Sequence, residues 1–416
     1  MCRIALVVLL ASAVVSAQPL LPIPGGSVVL TDSSPPSVSL YDPITGSTAV
    51  LTADPTLVVP AGCIVTDQRD VVFTDWIGIS IYRVDALGTL TTLATGLLNQ
   101  PTRITQDHNG EFVYTGNAWG YAPASLMRLD SLGTITTIAV LAGNPFDVKV
   151  ERTGALPSGD FLVTLPLLGH LIRVDGAGGV TTLATGLAGP IGVDTFPNGD
   201  YAVALSSTDD IVRIPRGGGP ATVWVPSSQL GNIKDLVADG EGGFFVTEAG
   251  GATGSRLMKV DAGGNVSQVL GNAALGFFQG AAHSPHLNAP TAPGTALNGL
   301  FGLAIDFPAN PNMPYTTVVS GSLFPGIPFG AGDPRGTPLN PDSLFVQSFG
   351  VGFPGITAGW VGTLDGSGQG VVTLNLTAFP AGAFAGVRIH MQVGVIDATA
   401  PTSIGAMSDA ETLLFQ

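Results

Sequence analysis

The chain has 416 residues, of which 45% are hydrophobic and only 11% are charged. Thirty acidic residues against fifteen basic ones give a formal net charge of −15. That balance argues against nucleic acid or an anionic membrane as partner, because both demand a cationic surface. Gly (57) and Pro (32) are abundant, but the apolar content is too high for disorder, so a large core with many turns is expected.

At the N-terminus Arg3 precedes an apolar run from Ile4 to Val15, and Val15-Ser16-Ala17 supplies small residues before Gln18. This order predicts a secretory signal peptide over residues 1–17 and a secreted or cell-surface protein. The run is too short for a transmembrane helix, and no later stretch reaches the roughly 18 apolar residues of a span, so no membrane span is expected. Cys2 leaves with the leader, and Cys63 then has no intrachain partner. Between Gly62 and Ile64 it reads as a small buried hydrophobe.

A repeat follows. Leu40-Tyr-Asp42-Pro-Ile-Thr-Gly46 is its first, weak copy. Stronger ones are Tyr82-Arg-Val-Asp85-Ala-Leu-Gly88, Met127-Arg-Leu-Asp130-Ser-Leu-Gly133 and Ile172-Arg-Val-Asp175-Gly-Ala-Gly178. Val212-Arg-Ile-Pro215-Arg-Gly-Gly218 and Met258-Lys-Val-Asp261-Ala-Gly-Gly264 complete six. The turns at 42, 85, 130, 175, 215 and 261 are about 44 residues apart, the spacing of four-stranded propeller blades. Each copy also carries a hairpin half, such as Pro101-TRITQDHN-Gly110-EFVYT or Pro190-IGVDTFPN-Gly199-DYAVA. Period-two alternation of Val, Ile, Thr, Phe and Tyr marks strands, and Asp-x-x-Gly closes a hairpin with Gly at positive φ.

The pattern P-x-x-[IV]…G-[DE]-[FY]-x-V…R-[VIL]-D-x-x-G resembles NHL-type repeats and their six-bladed relatives, which include the SMP-30/gluconolactonase-like group. The resemblance runs from about Val28 to Leu270 and implies a six-bladed β-propeller over 18–283. It speaks to fold more than to function, because propellers host many activities. Residues 28–52 supply three strands but no innermost one. The unpartnered segment Leu275 to His283 is expected to return and complete that blade, removing open edges.

Residues 284–298 (SPHLNAPTAPGTALN) read as a linker. From 299 to 416 short strands return without the period: Leu300–Phe307, Tyr315–Ser320, Ser343–Gln347, Gly359–Leu364, Gly370–Leu376, Gly386–Ile396 and Glu411–Phe415. Their number predicts a small β-sandwich, so the whole chain is all-β. This part resembles a C-terminal domain of large secreted planctomycete proteins, on Ser320-Gly-Ser322, Leu364-Asp-Gly-Ser-Gly368 and Arg388-x-His390-x-Gln392.

Chemistry is sparse. No nucleophile elbow, HExxH, CxxC or phosphate loop is present. The five His residues (108, 170, 283, 286 and 390) are dispersed. The repeated cations Arg83, Arg128, Arg173, Arg213 and Lys259 read as outer-strand residues paired with neighbouring acids. The informative place is one mouth of the channel, where inner strands start and second strands end. Gly62, Arg103, Asp147, Gly192 and Asp235 align at the start of the inner strands. Asp32, Asp75, Gly116, Leu165, Ser206 and Glu248 align after the second strands. Asp32, Asp75, Asp235 and Glu248 come from adjacent copies once the ring closes. Together they could hold a divalent cation such as calcium, or raise the pKa of one acid for proton transfer. Arg103 and Asp147 are further ligand candidates, and Trp76, Trp119 and Tyr121 offer flat apolar contacts. An Asp after a strand also commonly binds its own loop.

The lactonase resemblance would imply a metal held by Glu, Asn and Asp. Here Gly192 stands where an Asn is wanted, and no His falls at either ring position for a lyase-type mouth. Three readings therefore stand. One is a secreted non-enzymatic binding protein for a small ligand, carbohydrate or protein. The second is a metal-dependent lactonase-like hydrolase. The last is a purely structural surface-layer or matrix component that self-assembles without a small ligand.

Overall fold

The computed structural model describes residues 23–66, 69–85, 88–107, 109–117, 123–151, 159–251, 254–271, 277–285, 287–288, 300–320, 323–328, 336–339, 348, 352–353, 357–375, 388–400, 402–408 and 411–414. The expected signal peptide, most of the expected linker, the strand at 343–347, His108, His286, Trp119 and Tyr121 lie outside the described residues.

Six four-stranded antiparallel sheets succeed one another between residues 28 and 283. Their inner strands are Phe278–His283, Pro60–Val65, Gln100–Gln106, Val148–Glu151, Pro190–Thr195 and Ile233–Ala238 for sheets one to six. Sheet one joins the two ends of this part of the chain. Phe278–His283 pairs with Val28–Ser33, which continues outward through Pro36–Asp42 to Ser47–Thr52. This is the closure expected from the missing innermost strand. The Asp-x-x-Gly turns behave as read: Gly88 N–H bonds to Asp85 O and Gly264 N–H to Asp261 O, each at 2.9 Å, with φ of 78° and 83°. Only a residue without a Cβ takes that φ without cost.

Apolar side chains on the two faces of each strand explain how the sheets associate. Val29 and Phe73 join sheets one and two, Val72 and Tyr114 two and three, and Val113 and Phe161 three and four. Leu162 and Tyr201 join four and five, Phe196 and Phe244 five and six, and Phe245 and Val28 six and one. Each core cluster thus lies between neighbours, and the series returns to its start.

Buried Thr hydroxyls on second strands add staples between sheets. Thr31 donates to Ala61 O, Thr74 to Thr102 O at 3.0 Å, and Thr115 to Phe146 O at 2.9 Å. The repeated cations lie on third strands, one in from the edge, and pair with acids of the inner–second hairpin. Arg83 meets Asp70, Arg128 meets Asp107 and Glu111, Arg173 meets Glu151, Arg213 meets Asp200, and Lys259 meets Asp239. Their repetition is structural.

After residue 284 one two-stranded sheet and two larger sheets form among the described residues. One has the order Leu287–Asn288, Leu300–Asp306, Gln369–Asn375, Thr357–Ala358. The other orders Val361–Thr363, Pro314–Ser320, Arg388–Ile396 and Ile404–Met407, with Glu411–Leu414 also paired to Arg388–Ile396. Leu303, Val372, Tyr315, Val393 and Trp360 share one core between them. Leu287–Asn288 falls inside the expected linker but pairs with Leu300–Asp306. The hairpin of Leu323–Pro328 with Gly336–Leu339 was not anticipated, since Gly and Pro interrupt both strands.

Candidate functional site

The inner strands put one residue of each sheet at the same level of the channel: Gly280, Gly62, Arg103, Asp147, Gly192 and Asp235. The pairing marks the level. Gly62, Arg103 and Asp147 each donate their N–H to the second-strand threonines Thr74, Thr115 and Thr164, and Asp235 faces Thr247. The second-strand alignment needs one correction. Ile233 faces Glu248 and Pro190 faces Leu205, so the position in sheet five belongs to Leu205 rather than Ser206. Ser206 enters the alignment only because the loop after that strand differs in length.

Arg103 reaches across the channel. Its guanidinium donates to Lys234 O at 3.0 Å on sheet six and to Gln279 O at 2.5 Å on sheet one. Its Nε lies 3.5 Å from the Asp235 carboxylate, and its cationic carbon sits 4.8 Å from the Phe146 ring centre. The neighbouring glycine makes room: a Cβ on Gly62 would lie 2.6 Å from the Arg103 Cα.

The two ring aspartates turn sideways. Asp147 accepts Val148 N–H and, from sheet five, Val193 N–H, each at 2.8 Å. Asp235 accepts Leu236 N–H at 2.8 Å and, from sheet one, Ala281 N–H at 3.1 Å. Asp194, two residues beyond Gly192, does the same with Thr195 and Ala238 and lies 3.9 Å from Lys149 Nζ. Burial and then the Asp235 carboxylate push Asp147 up to about 7, against the pull of Lys149, Arg103 and the Val193 amide. Lys149 and Asp194 were missed by the sequence reading. Period-two alternation from Asp147 and Gly192 would have placed both on the channel side.

The rim acids are likewise engaged. Asp32 accepts Ser34 N–H at 2.8 Å and Phe277 N–H at 2.7 Å. Asp75 takes Val58, Val59 and Gly78 N–H at 2.7, 2.8 and 2.9 Å. Glu248 accepts Gly231 N–H at 2.7 Å and pairs with Arg256 at 2.5 Å. Burial raises the pKa of Glu248. The expectation that Asp32, Asp75, Asp235 and Glu248 share one cation is therefore not what their surroundings build. Each is drawn to amides of its own loop or of the next sheet. Among the described residues no group of three or more His, Cys, Asp or Glu is placed to hold a metal ion. Trp76 follows Asp75 on the same loop and donates its backbone N–H to Val59 O.

No protein-family model matches the chain, and no curated protein matches it. Solved structures do. A chain of a nidogen/laminin complex superposes with a TM-score of 0.51 at 14% identity, covering 62% of this chain and 97% of that one. A protein of unknown function from Bacteroides caccae gives 0.50 at 13%, covering 62% and 97%. Virginiamycin B lyase from Staphylococcus aureus gives 0.46 at 16%, covering 58% and 80%. The fold is a β-propeller. At such identities the likeness extends to the fold alone. No helix among the described residues is long and apolar enough to cross a membrane.

Proposed function

We propose that this chain is a secreted, non-enzymatic binding protein. A six-bladed propeller over 18–283 meets its ligand with the mouth face, and a β-sandwich over 299–416 is its accessory module. The observation that carries this reading is the engagement of the mouth carboxylates with backbone N–H groups. A carboxylate bonded in that way is positioned to hold loops and neighbouring sheets rather than to give its lone pairs to a cation or take a substrate proton. The Arg103 bolt further supports a mouth that ends in a floor, with contact made across its surface. The partner is a small ligand, a carbohydrate or a protein. A nidogen/laminin assembly containing the same fold is compatible with the last.

The alternative, a metal-dependent lactonase-like hydrolase, requires Asp32, Asp75, Asp235 and Glu248 to release their amides to a divalent cation. Calcium titration of the mature protein separates the two. The expected result is no bound calcium by equilibrium dialysis and an unchanged Tm, in the wild type and in Asp75→Asn alike. A calcium-dependent rise in Tm that Asp75→Asn abolishes would replace the binding reading with the hydrolase.

A further inference from the structure

We propose that the mouth captures a carboxylate-bearing ligand on Lys234, with the ligand's apolar body lying over Phe277 and the apolar loops of sheets two to four. This deepens the binding reading above and rests on it.

Lys234 is the extra residue in the bulge that opens the inner strand of sheet six, where pairing shifts between Ile233 and Asp235. Bulges re-aim side chains in this way. Its ammonium stands 5.6 Å from the centre of the Phe277 ring, across the seam between sheets six and one. The chain has three lysines. Lys149 lies 3.9 Å from Asp194, and Lys259 is paired with Asp239. Among the described residues no carboxylate comes within 4.0 Å of Lys234. Burial lowers its pKa and the Arg103 guanidinium adds to the effect, while Asp209 offsets part of it.

The surrounding charges sharpen the contrast. The mouth acids are occupied by amides, and Asp235 is shared with Arg103. At the seam of sheets six and one the mouth therefore presents a half-buried cation with no ion-pair partner among the described residues, on a molecule whose formal charge is −15. An anionic group placed there relieves the ammonium.

The apolar half of the ligand is indicated by the loops that open on the same face. Trp76-Ile-Gly-Ile79, Gly96-Leu-Leu-Asn99 and Pro166-Leu-Leu-Gly169 contain no charged residue. They expose Ile77, Leu98, Leu167 and Leu168, with Leu98 at 80% and Leu167 at 82%. Clusters of exposed large apolar side chains mark interaction surfaces. A cation on a face whose loops are otherwise apolar fits an acid carried on an apolar body. A small aryl-alkyl acid and an apolar peptide with a free C-terminus share that chemistry.

The test uses the mature full-length chain and titration calorimetry. The probes are 4-phenylbutyrate against 4-phenylbutyramide, and the tripeptide acetyl-Ala-Leu-Phe with a free or an amidated C-terminus. At least one acid should bind about tenfold more tightly than its amide, a difference of about 1.4 kcal/mol. Which acid does so identifies the source. Lys234→Met should erase the acid–amide difference, Lys234→Arg should keep it, and added salt should weaken it. Equal binding of acid and amide, an unchanged preference in Lys234→Met, or no binding of either acid at millimolar concentration overturns the inference. If Leu98→Glu and Leu167→Glu abolish binding while Lys234→Met does not, the mouth face remains the binding surface and only the carboxylate specificity falls. The metal-free reading itself is judged separately by the calcium titration.

Discussion

A guanidinium at the ring position of sheet three reaches across to the opposite side of the channel, and its effect is visible in what a neighbouring threonine lacks. Thr31, Thr74 and Thr115 each donate to the carbonyl one residue before the next sheet's ring position. The corresponding acceptor for Thr247 is Gln279 O, which Arg103 already holds at 2.5 Å. The Thr247 hydroxyl is buried and has no hydrogen-bond partner among the described residues. One cation thus replaces a staple at the seam where sheets six and one meet. The same channel gives a pH prediction. Asp147 stands at about 7 in the fold against 3.8 ordinarily, chiefly from burial. The folded state therefore takes up a proton between those values, and this group's contribution to stability falls as pH rises from about 4 to 7 and is flat above. The slope from one linked proton is at most about 1.4 kcal/mol per pH unit. Urea unfolding across that range should show a shallower decline in Asp147→Asn than in the wild type, even if the variant is weaker throughout because Asn offers only one acceptor to two amides. Parallel curves would mean that Asp147 stays ionised throughout the range.

At the scale of the strand, the repeat is legible because turn chemistry is local: Asp42-Pro-Ile-Thr-Gly46 and Asp261-Ala-Gly-Gly264 carry their own hydrogen bonds. Asp147 and Asp235 each hold one local amide, that of the following residue. Their second partner is an amide 46 residues further on, in the next sheet, so residue spacing locates the carboxylates but not all that they bind. The edges were also only half legible. None of the six outer strands contains a charged residue or a proline, the usual protections of an exposed edge. Instead each shifts register by one residue against its third strand, at Leu51, Leu93, Ile138, Leu183, Trp224 and Val269. A bulge bends and twists the outer strand away from straight pairing. The inner edge of sheet one has only Phe278–His283 to cover it. Deleting 277–283 bares the buried strand Val28–Ser33 and removes partners of Arg103 and Asp235. The shortened protein should lose its cooperative unfolding transition and self-associate on size exclusion. Fusing 277–284 directly ahead of Ser27 should restore a monomer, because Ser284 and Ser27 are already bonded N–H to O at 2.8 Å. A deletion variant that stays monomeric and cooperative would show that the strand is dispensable for closure.

At the scale of the molecule, a tether between two freely moving modules is the natural reading of a Pro- and Ala-rich segment at 284–298. Contacts far from that segment join the two parts. The Asp306 carboxylate, at the end of a strand in the C-terminal part, lies 2.6 Å from the Arg69 guanidinium and accepts Gly25 N–H at 3.0 Å. Asp306 is 4% exposed and Arg69 7%, so the pair is buried. Arg69 holds φ at 59°, in the left-handed region, on the inner–second hairpin of sheet two. Gly25 lies just ahead of Val28–Ser33, and both positions belong to the face opposite the mouth. The C-terminal part therefore contacts that opposite face, which leaves the mouth loops to a ligand. Removing one member of a buried pair strands the other charge, at a cost of about 3–5 kcal/mol, whereas replacing both with apolar groups is often close to neutral. Protease nicking at 284–298 should consequently leave the wild-type halves together on size exclusion at neutral pH. In Asp306→Ala they should separate, and Arg69→Met with Asp306→Leu should hold them together again. Halves that part in the wild type as readily as in Asp306→Ala would mean the linker alone joins them. In that case the contact at Asp306 would add nothing to their association.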